Sequence, residues 1–291
     1  MSDIRIGVIG GSGLYAMDGL KVREERRIST PFGDPSDAYV IGELDGRQVA
    51  FLPRHGRGHR LTPTELNYRA NIFGFKTLGV EQLISVSAVG SLKIEYKPTD
   101  ILVPDQFFDR TRHRVDTFFG GGLVAHVSLA KPICPRLIDP FCDAAREAGA
   151  TVHRGGTYVN MEGPQFSTRA ESELYRSWGM DIIGMTNLTE ARLAREAEIC
   201  YATLAMVTDY DCWHETEEAV SGHSVMEVIG QNVKMAQNVV RQILKSLPDE
   251  RPADCLCASA LAHSLITERD KIPAELKQSL QPLIGRYIPA E

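Results

Sequence analysis

The sequence predicts an α/β protein: a single domain with a mixed central β-sheet flanked by helices. Three observations carry this reading. Short apolar runs alternate with segments of helical periodicity, and an Asp-Gly dipeptide joins two of those runs in the strongest hairpin signal of the chain. The third is composition: 291 residues, 43% hydrophobic and 24% charged, are ordinary globular values and enough to bury a substantial core. There is no internal repeat and no low-complexity segment. Only Ser246 to Ala253, with two prolines and three charges, reads as a linker, so residues 1–291 form one domain with a helical tail from about 254 to 291.

In chain order, Ile4 to Ile9 is a short apolar strand opening into Gly10-Gly11-Ser12-Gly13-Leu14. Ala38 to Leu44 and Arg47 to Pro53 flank the Asp45-Gly46 turn, and the second arm runs into a basic, glycine-spaced loop from Arg54 to Arg60. Leu66, Ala70, Phe73 and Leu78 mark a helix from about Glu65 to Leu78, followed by a strand from Gln82 to Val86 ending in Ser87-Ala88-Val89-Gly90-Ser91. Asp100 to Pro104 is a strand, and the polar segment Asp105 to Phe119 reads as a long loop. Pro135 to Ala148 is a helix with proline near its start, and Thr151 to Met161 a strand. Thr168-Arg169-Ala170-Glu171 is a capping box whose helix stops at Gly179. Asp181 to Met185 is a strand, Thr189 to Ala197 a helix, and Ile199 to Thr208 a buried strand. Ser224 to Glu227 repeats the capping pattern, and Val225, Ile229, Val233, Ala236, Val240, Ile243 and Leu247 recur at helical spacing beyond it.

Composition also excludes. A formal charge of -6 argues against nucleic-acid binding, which needs a surplus of Lys and Arg, so any anion must be met by a local site. No membrane is expected, because no run of about 18 apolar residues occurs. Met-Ser-Asp-Ile-Arg enters a strand without a leader pattern, and a cytoplasmic protein is the expectation. Six scattered cysteines do not make a disulfide scaffold. The Cys255-Leu-Cys257 pair is too closely spaced for a usual zinc knuckle; bland packing is expected of it, a redox role being the alternative.

The chemistry collects where strands end. Gly10-Gly11-Ser12-Gly13 can offer backbone N–H groups and a hydroxyl to an anion, but it lacks the lysine of a P-loop and the spacing of a dinucleotide site. Arg54 adds a guanidinium fork suited to phosphate, and the His55 imidazole can donate beside it. Ser87, Ser91 and Thr186 are further hydroxyls at strand ends, where ligands gather in open α/β sheets. Phe166 can stack on a heterocycle or fill the core, and Met185 can line a sugar or fill the core. Asp209 and Asp211 lie two apart at the end of a buried strand and can face one small molecule. Three uses remain open for them: a structural turn, a metal pair with weak support from His214, or readers of a purine edge.

Six motifs, in order, resemble one family across nearly the whole chain. They are Gly-Gly-Ser-Gly-Leu at 10–14, Arg-His-Gly-Arg-Gly-His at 54–59, Ser-Ala-Val-Gly-Ser-Leu at 87–92, Glu-Gly-Pro-Gln-Phe-Ser at 162–167, Met-Thr at 185–186 and Thr-Asp-Tyr-Asp-Cys-Trp at 208–213. The family is that of the 5'-methylthioadenosine phosphorylases, within the trimeric purine nucleoside phosphorylase group. The resemblance implies a phosphorylase/hydrolase-like fold and phosphorolysis of a methylthioadenosine nucleoside to adenine and 5-methylthioribose 1-phosphate. Phosphate is then a co-substrate, with no metal and no organic cofactor. By motif position, Ser12, Arg54, His55, Ser87, Ala88 and Thr186 hold phosphate. Met185, Phe166, Ser167, Val225 and Met226 contact the nucleoside, and Asp209 and Asp211 read adenine as the catalytic pair. His126 matches a residue that reaches a neighbouring subunit's site, which implies a homotrimer or a dimer of trimers. Ser12 and Ser87 stand where Thr is frequent, Val89 where Cys is, and Gln165 where Arg is; Gly222-His223 replaces a larger apolar residue near the methylthio group. The rival readings are a phosphorylase preferring 6-oxopurines such as inosine or methylthioinosine, a phosphate-independent nucleoside hydrolase, a metal-dependent glycosyltransferase and a silent nucleoside-binding module.

Overall fold

A computed structural model of the chain describes residues 4–214 and 222–289. The hairpin forms as predicted, from β3 (Tyr39–Leu44) and β4 (Arg47–Pro53), with Asp45 (φ 51°) and Gly46 (φ 83°) both in the left-handed region that such a turn requires. One strand on its edge carries no hydrophobic periodicity. This is β2 (Lys21–Arg26), Lys-Val-Arg-Glu-Glu-Arg, mostly exposed and bonded only to β3. Its charges suit an open sheet edge and hide it from a hydrophobic pattern.

Among the described residues the sheet is mixed and has eleven strands. β1 (Ile6–Gly10) lies between β4 and β5 (Gln82–Ser91), parallel to both. Along its other side β5 pairs with β11 (Cys200–Asp209) in parallel, from Gln82 opposite Cys200 to Gly90 opposite Asp209. β10 (Ile182–Gly184) then pairs antiparallel with the end of β5, at Gly90 and Ser91. β1 and β10 therefore share one side of β5. β1 covers Gln82 to Ser85, β10 covers Gly90 and Ser91, and the residues between, Val86 to Val89, border a gap in the sheet. The order continues through β9 (Thr157–Met161) to β7 (Gln106–Arg110), while β6 (Ile101–Val103) and β8 (Val152–Arg154) extend from β11.

Two expectations need correction. The supposed loop Asp105 to Phe119 contains β7, a half-exposed edge strand whose polar composition reads as loop. The single strand Thr151 to Met161 is two, β8 and β9, broken at Gly155 (φ 83°) and Gly156 (φ 107°), where a Cβ at Gly156 would crowd the Asp181 side chain.

The helices fall close to their predicted places: α1 (Tyr68–Thr77), α2 (Pro135–Glu147), α3 (Arg169–Ser177), α4 (Asn187–Glu196) and α5 (Gly222–Ser246). The Thr168–Glu171 capping box is formed in full. The tail is less helical than expected. Among the described residues it holds, beyond two 3₁₀ turns, only α6 (Ala274–Ser279) and α7 (Gln281–Ile284), and it is tied to the body by burial of Leu283, Ile284 and Ile288 in the main core. No helix among the described residues is long and apolar enough to cross a membrane.

Candidate active site

The gap beside Val86–Val89 is where the candidate residues gather. β1 delivers Gly10 to it, and a Cβ at Gly10 would meet the Val86 carbonyl oxygen at 3.0 Å, so the turn carrying Ser12 has to start on glycine. That turn, Ser12–Tyr15, is covered by α5: Gln237 Nε2 donates to the Gly13 carbonyl at 2.8 Å, and Val233 packs on Gly13. β10 enters from the other end and runs antiparallel to β5, so Met185 and Thr186 continue along the gap toward Ser87. Thr186 is also the N-cap of α4; its hydroxyl donates to Asn187 Oδ1 at 3.1 Å and leaves the helix N-terminus uncapped by a side chain. Ser87 Oγ is buried with no hydrogen-bond partner. A hydroxyl in that condition is destabilising unless a ligand meets it.

Arg54 follows β4 and is bonded to β1 through its own N–H, which donates to the Gly10 carbonyl at 2.8 Å. The guanidinium is buried, and most of its donors are already engaged. Nε and Nη2 form a two-pronged pair with the Glu190 carboxylate, Nη2 also donates to Ser85 Oγ at 2.6 Å, and Nη1 donates to the Val86 carbonyl at 3.0 Å. One Nη1 N–H is left for an anion. Glu190 was invisible as a site residue in the sequence. It sits in a helix at a wholly buried position, where it also accepts from Tyr201 and Ser85; the available signal was an acid sharing a helix face with Leu193 and Ala194.

The expected donor role of His55 is corrected. Its Nδ1 faces the Leu61 carbonyl at 2.8 Å, so in the neutral ring Nδ1 carries the hydrogen and Nε2 is an acceptor. Burial first, and then the Arg54 charge, push its pKa down to about 4, and the ring stacks on His59. Neutral at physiological pH, it presents Nε2 as an acceptor instead of a donor.

Asp209 and Asp211 do converge, by a different geometry from the expected alternation along a strand. β11 ends at Asp209 after a bulge, and Asp211 (φ 51°) lies in the following turn. The turn folds back so that the Asp211 N–H donates to Asp209 Oδ1 at 2.8 Å, while Thr208 Oγ1 donates to Asp209 Oδ2 at 2.6 Å. Gly90 makes room for the pair: a Cβ there would lie 2.9 Å from Asp209 Oδ1 and 3.3 Å from Asp211 Cβ. Burial raises the Asp211 pKa above the usual carboxylate value, against the opposing pull of the Ser172 and Ser167 hydroxyls and the Cys212 N–H. No cluster of metal-ligating side chains among the described residues includes either acid.

Phe166 is 40% exposed and so is no core residue; Ser167 lies beside it at the start of the capped helix, its carbonyl accepting from Cys212 Sγ. Met185 is pressed onto Gly163, where a Cβ would come within 2.5 Å of the Met185 sulfur. A clamp absent from the sequence reading holds this wall. The buried Arg114 side chain bonds to Glu162 at 2.8 Å, to the Met185 carbonyl at 3.0 Å and to the Tyr68 hydroxyl. Burial works to raise the Glu162 pKa, but the Arg112 N–H, the Arg114 side chain and Thr64 together hold the carboxylate at about 2. Both partners come from stretches that read as loops, where a single charge has no visible partner. His126 is exposed, on a segment bonded through its N–H to the Ser264 carbonyl of the tail. Val225 and Met226 fall in the first turns of α5, but their side chains, like that of Ser12, lie outside the described residues.

Known proteins share this layout. The model of the phosphorylase superfamily matches residues 5–245. A relative from Geobacter sulfurreducens, named S-methyl-5'-thioadenosine phosphorylase, is 58% identical over 97% of this chain and 99% of its own length. One of the same name from Thermofilum pendens is 52% identical over 91% of this chain and all of its own. The crystal structure of a methylthioadenosine phosphorylase from an antarctic soil metagenomic library superposes with a TM-score of 0.92 at 51% identity, covering 97% of this chain and 99% of that one. The Schistosoma mansoni methylthioadenosine phosphorylase in complex with adenine gives 0.85 at 34% identity, covering 90% and 99%. Together with the gap in the sheet and the groups around it, these likenesses place the chain in the phosphorylase superfamily, in the family of the S-methyl-5'-thioadenosine phosphorylases.

Proposed function

We infer that the protein catalyses phosphorolysis of 5'-methylthioadenosine to adenine and 5-methylthioribose 1-phosphate, a pentosyl transfer that serves purine and methionine salvage. The observation that carries this is the spacing of two kinds of group along β5. The Arg54 guanidinium meets β5 at the Val86 carbonyl and the unpartnered hydroxyl is that of Ser87, whereas the acids face Gly90. Three residues of extended chain span about 10 Å, room for a ribose between a phosphate and a base.

The residues divide the work accordingly. Phosphate takes the remaining Arg54 N–H, the hydroxyls of Ser12, Ser87 and Thr186, the backbone at Ala88 and the N-terminus of α4, and it donates its own proton to His55 Nε2. Because Glu190 already balances Arg54, the bound anion keeps its charge for the sugar. Beneath C1' it stabilises the cation that develops as the glycosidic bond breaks, and attacks it. Met185 lies against the ribose, and Phe166 and Ser167 against the base. Once protonated, with the Thr208 hydroxyl turned from Oδ2 to the Val89 carbonyl, Asp209 gives its proton to purine N7, which makes adenine a leaving group, and Asp211 accepts from the exocyclic amine. A 6-oxo group would instead set its oxygen against that carboxylate, which favours adenine over hypoxanthine nucleosides. This chemistry calls for no metal or organic cofactor.

The active assembly we infer is a homotrimer or a dimer of trimers in the cytoplasm, with the exposed His126 completing a neighbour's site. Base release from a panel of methylthioadenosine, adenosine, methylthioinosine and inosine, with and without phosphate, tests the reading. Release only with phosphate, fastest from 6-amino substrates, is expected; equal release without phosphate means a hydrolase. Asp209→Asn should lose turnover on adenine nucleosides, and unchanged turnover and preference would remove Asp209 from its role.

A further inference from the structure

At the opposite end of β11 from Asp209, four cysteines from three separate segments meet. Cys200 begins the strand, Cys134 precedes α2, and Cys255 and Cys257 come from the tail. Strand length puts this cluster roughly 30 Å from the acids, so it has no part in the site described above. All four are buried, all are free thiols, and their sulfur atoms lie within 4.8 Å of one another. The Cys200 and Cys255 sulfurs are 3.4 Å apart, those of Cys134 and Cys255 3.9 Å.

We propose that Cys134, Cys200, Cys255 and Cys257 bind a structural zinc ion that fastens the C-terminal tail to the body of the enzyme. A tetrahedral tetrathiolate site with zinc–sulfur bonds of about 2.3 Å has its sulfurs about 3.8 Å apart, within the range observed here. Four sulfurs gathered within 4.8 Å of one another are the donor set of a single soft-ligand ion. An iron–sulfur cluster would hold its cysteines farther apart. The backbone explains how the set assembles. The Cys134 N–H donates to the Tyr201 carbonyl at 2.9 Å, which lays Cys134 beside Cys200, and the tail brings its cysteines at one 3₁₀ turn, Leu256–Ser259, with Cys255 as its N-cap and Cys257 inside it. The one-residue spacing that argues against a zinc knuckle in the sequence is no obstacle when the other two ligands come from elsewhere in the fold.

The surroundings match the charge such a site would carry. Four thiolates around a divalent ion leave a net charge of -2; Arg195 acts electrostatically on Cys257, and Arg251 lines the cavity that borders Cys134, Cys200 and Cys255, as does Arg136, which is paired with Asp254. That cavity, about 160 Å³, gives an ion a path to the sulfurs. Fastening the tail here also bears on a distant surface. Residues 264–267 pair with the His126 segment, through Ile266 N–H to the Val124 carbonyl and Val124 N–H to Thr267 Oγ1, both at 2.9 Å.

Tag-free enzyme purified under a thiol reductant and without chelator tests the proposal by elemental analysis and by cobalt exchange. One zinc per chain is expected, released when an organomercurial titrates the thiols. Cobalt(II) in its place should show the sulfur-to-metal charge-transfer and visible d–d bands of a tetrahedral tetrathiolate. The Cys255→Ser, Cys257→Ser double variant should lose the zinc and unfold at lower temperature. The cobalt spectrum of the unaltered enzyme stands as the readout if that variant fails to fold. A protein that takes up neither zinc nor cobalt with four free thiols, one whose mass shows disulfides among these cysteines after purification under reductant, or one that carries iron instead, would overturn the proposal.

Discussion

Replacing Glu190 by Gln asks how much the anion site depends on the group beneath it. In the structure the Glu190 carboxylate meets two Arg54 nitrogens, Ser85 Oγ and the Tyr201 hydroxyl in a wholly buried position. Glu190→Gln keeps the shape but turns one acceptor into a donor that faces those donors, and it leaves the Arg54 charge without its counter-charge. Breaking a buried pair by altering one partner costs about 3–5 kcal/mol. At about 2–4 °C per kcal/mol for a chain of this size, Tm should fall by roughly 10 °C at fixed protein concentration. Phosphate should then matter more, because in the variant it supplies the missing negative charge. Thermal unfolding with and without saturating phosphate should show a larger phosphate-induced rise in Tm for Glu190→Gln than for the unaltered enzyme. A double-mutant cycle with Arg54→Met isolates the pair, with an expected coupling of about 2 kcal/mol or more. Coupling below about 0.5 kcal/mol, with the same phosphate response in both proteins, would refute the assignment of Glu190 as the group that balances Arg54.

Two further outcomes follow from the same geometry. Burial lifts the Glu196 pKa to about 7, even though the Phe118 N–H and Thr117 hydroxyl donate to it. A carboxyl raised in the folded state contributes stability that is full below its unfolded pKa of about 4.5 and lost as pH rises through 7. His55 runs the other way: held near 4 when folded, it contributes stability above about 6.5 that is lost as pH falls toward 4. Over the window they share the two effects oppose each other. Glu196→Gln, whose amide can still accept from Phe118 and donate to Thr117, should therefore raise stability above pH 7, by up to about 3 kcal/mol, and steepen the loss toward acid, read from denaturant midpoints between pH 5 and 8. Gly163→Ala adds a Cβ against the Met185 sulfur at a φ of 69°. It should raise KM for the nucleoside while leaving KM for phosphate unchanged, and a change confined to phosphate would place Met185 elsewhere.

The amino-acid sequence by itself determined the class of fold, most element positions and the residues around the gap in the sheet. Those properties are local: β-branched runs, an Asp-Gly turn, a capping box and short glycine-spaced motifs are written in consecutive residues. What only tertiary structure decided are relations between distant side chains. Glu190 lies 136 residues from Arg54, and only their meeting shows that most of the guanidinium is already committed. The tautomer of His55 depends on a carbonyl presented by a folded loop, and the convergence of Asp209 and Asp211 depends on a backbone turn instead of the alternation that spacing predicts. Cys255 and Cys257 look like an isolated close pair until packing brings Cys134 and Cys200 against them. A donor, a counter-charge or a ligand set is completed by whichever residues the fold places within about 3–4 Å, and that separation is independent of distance along the chain.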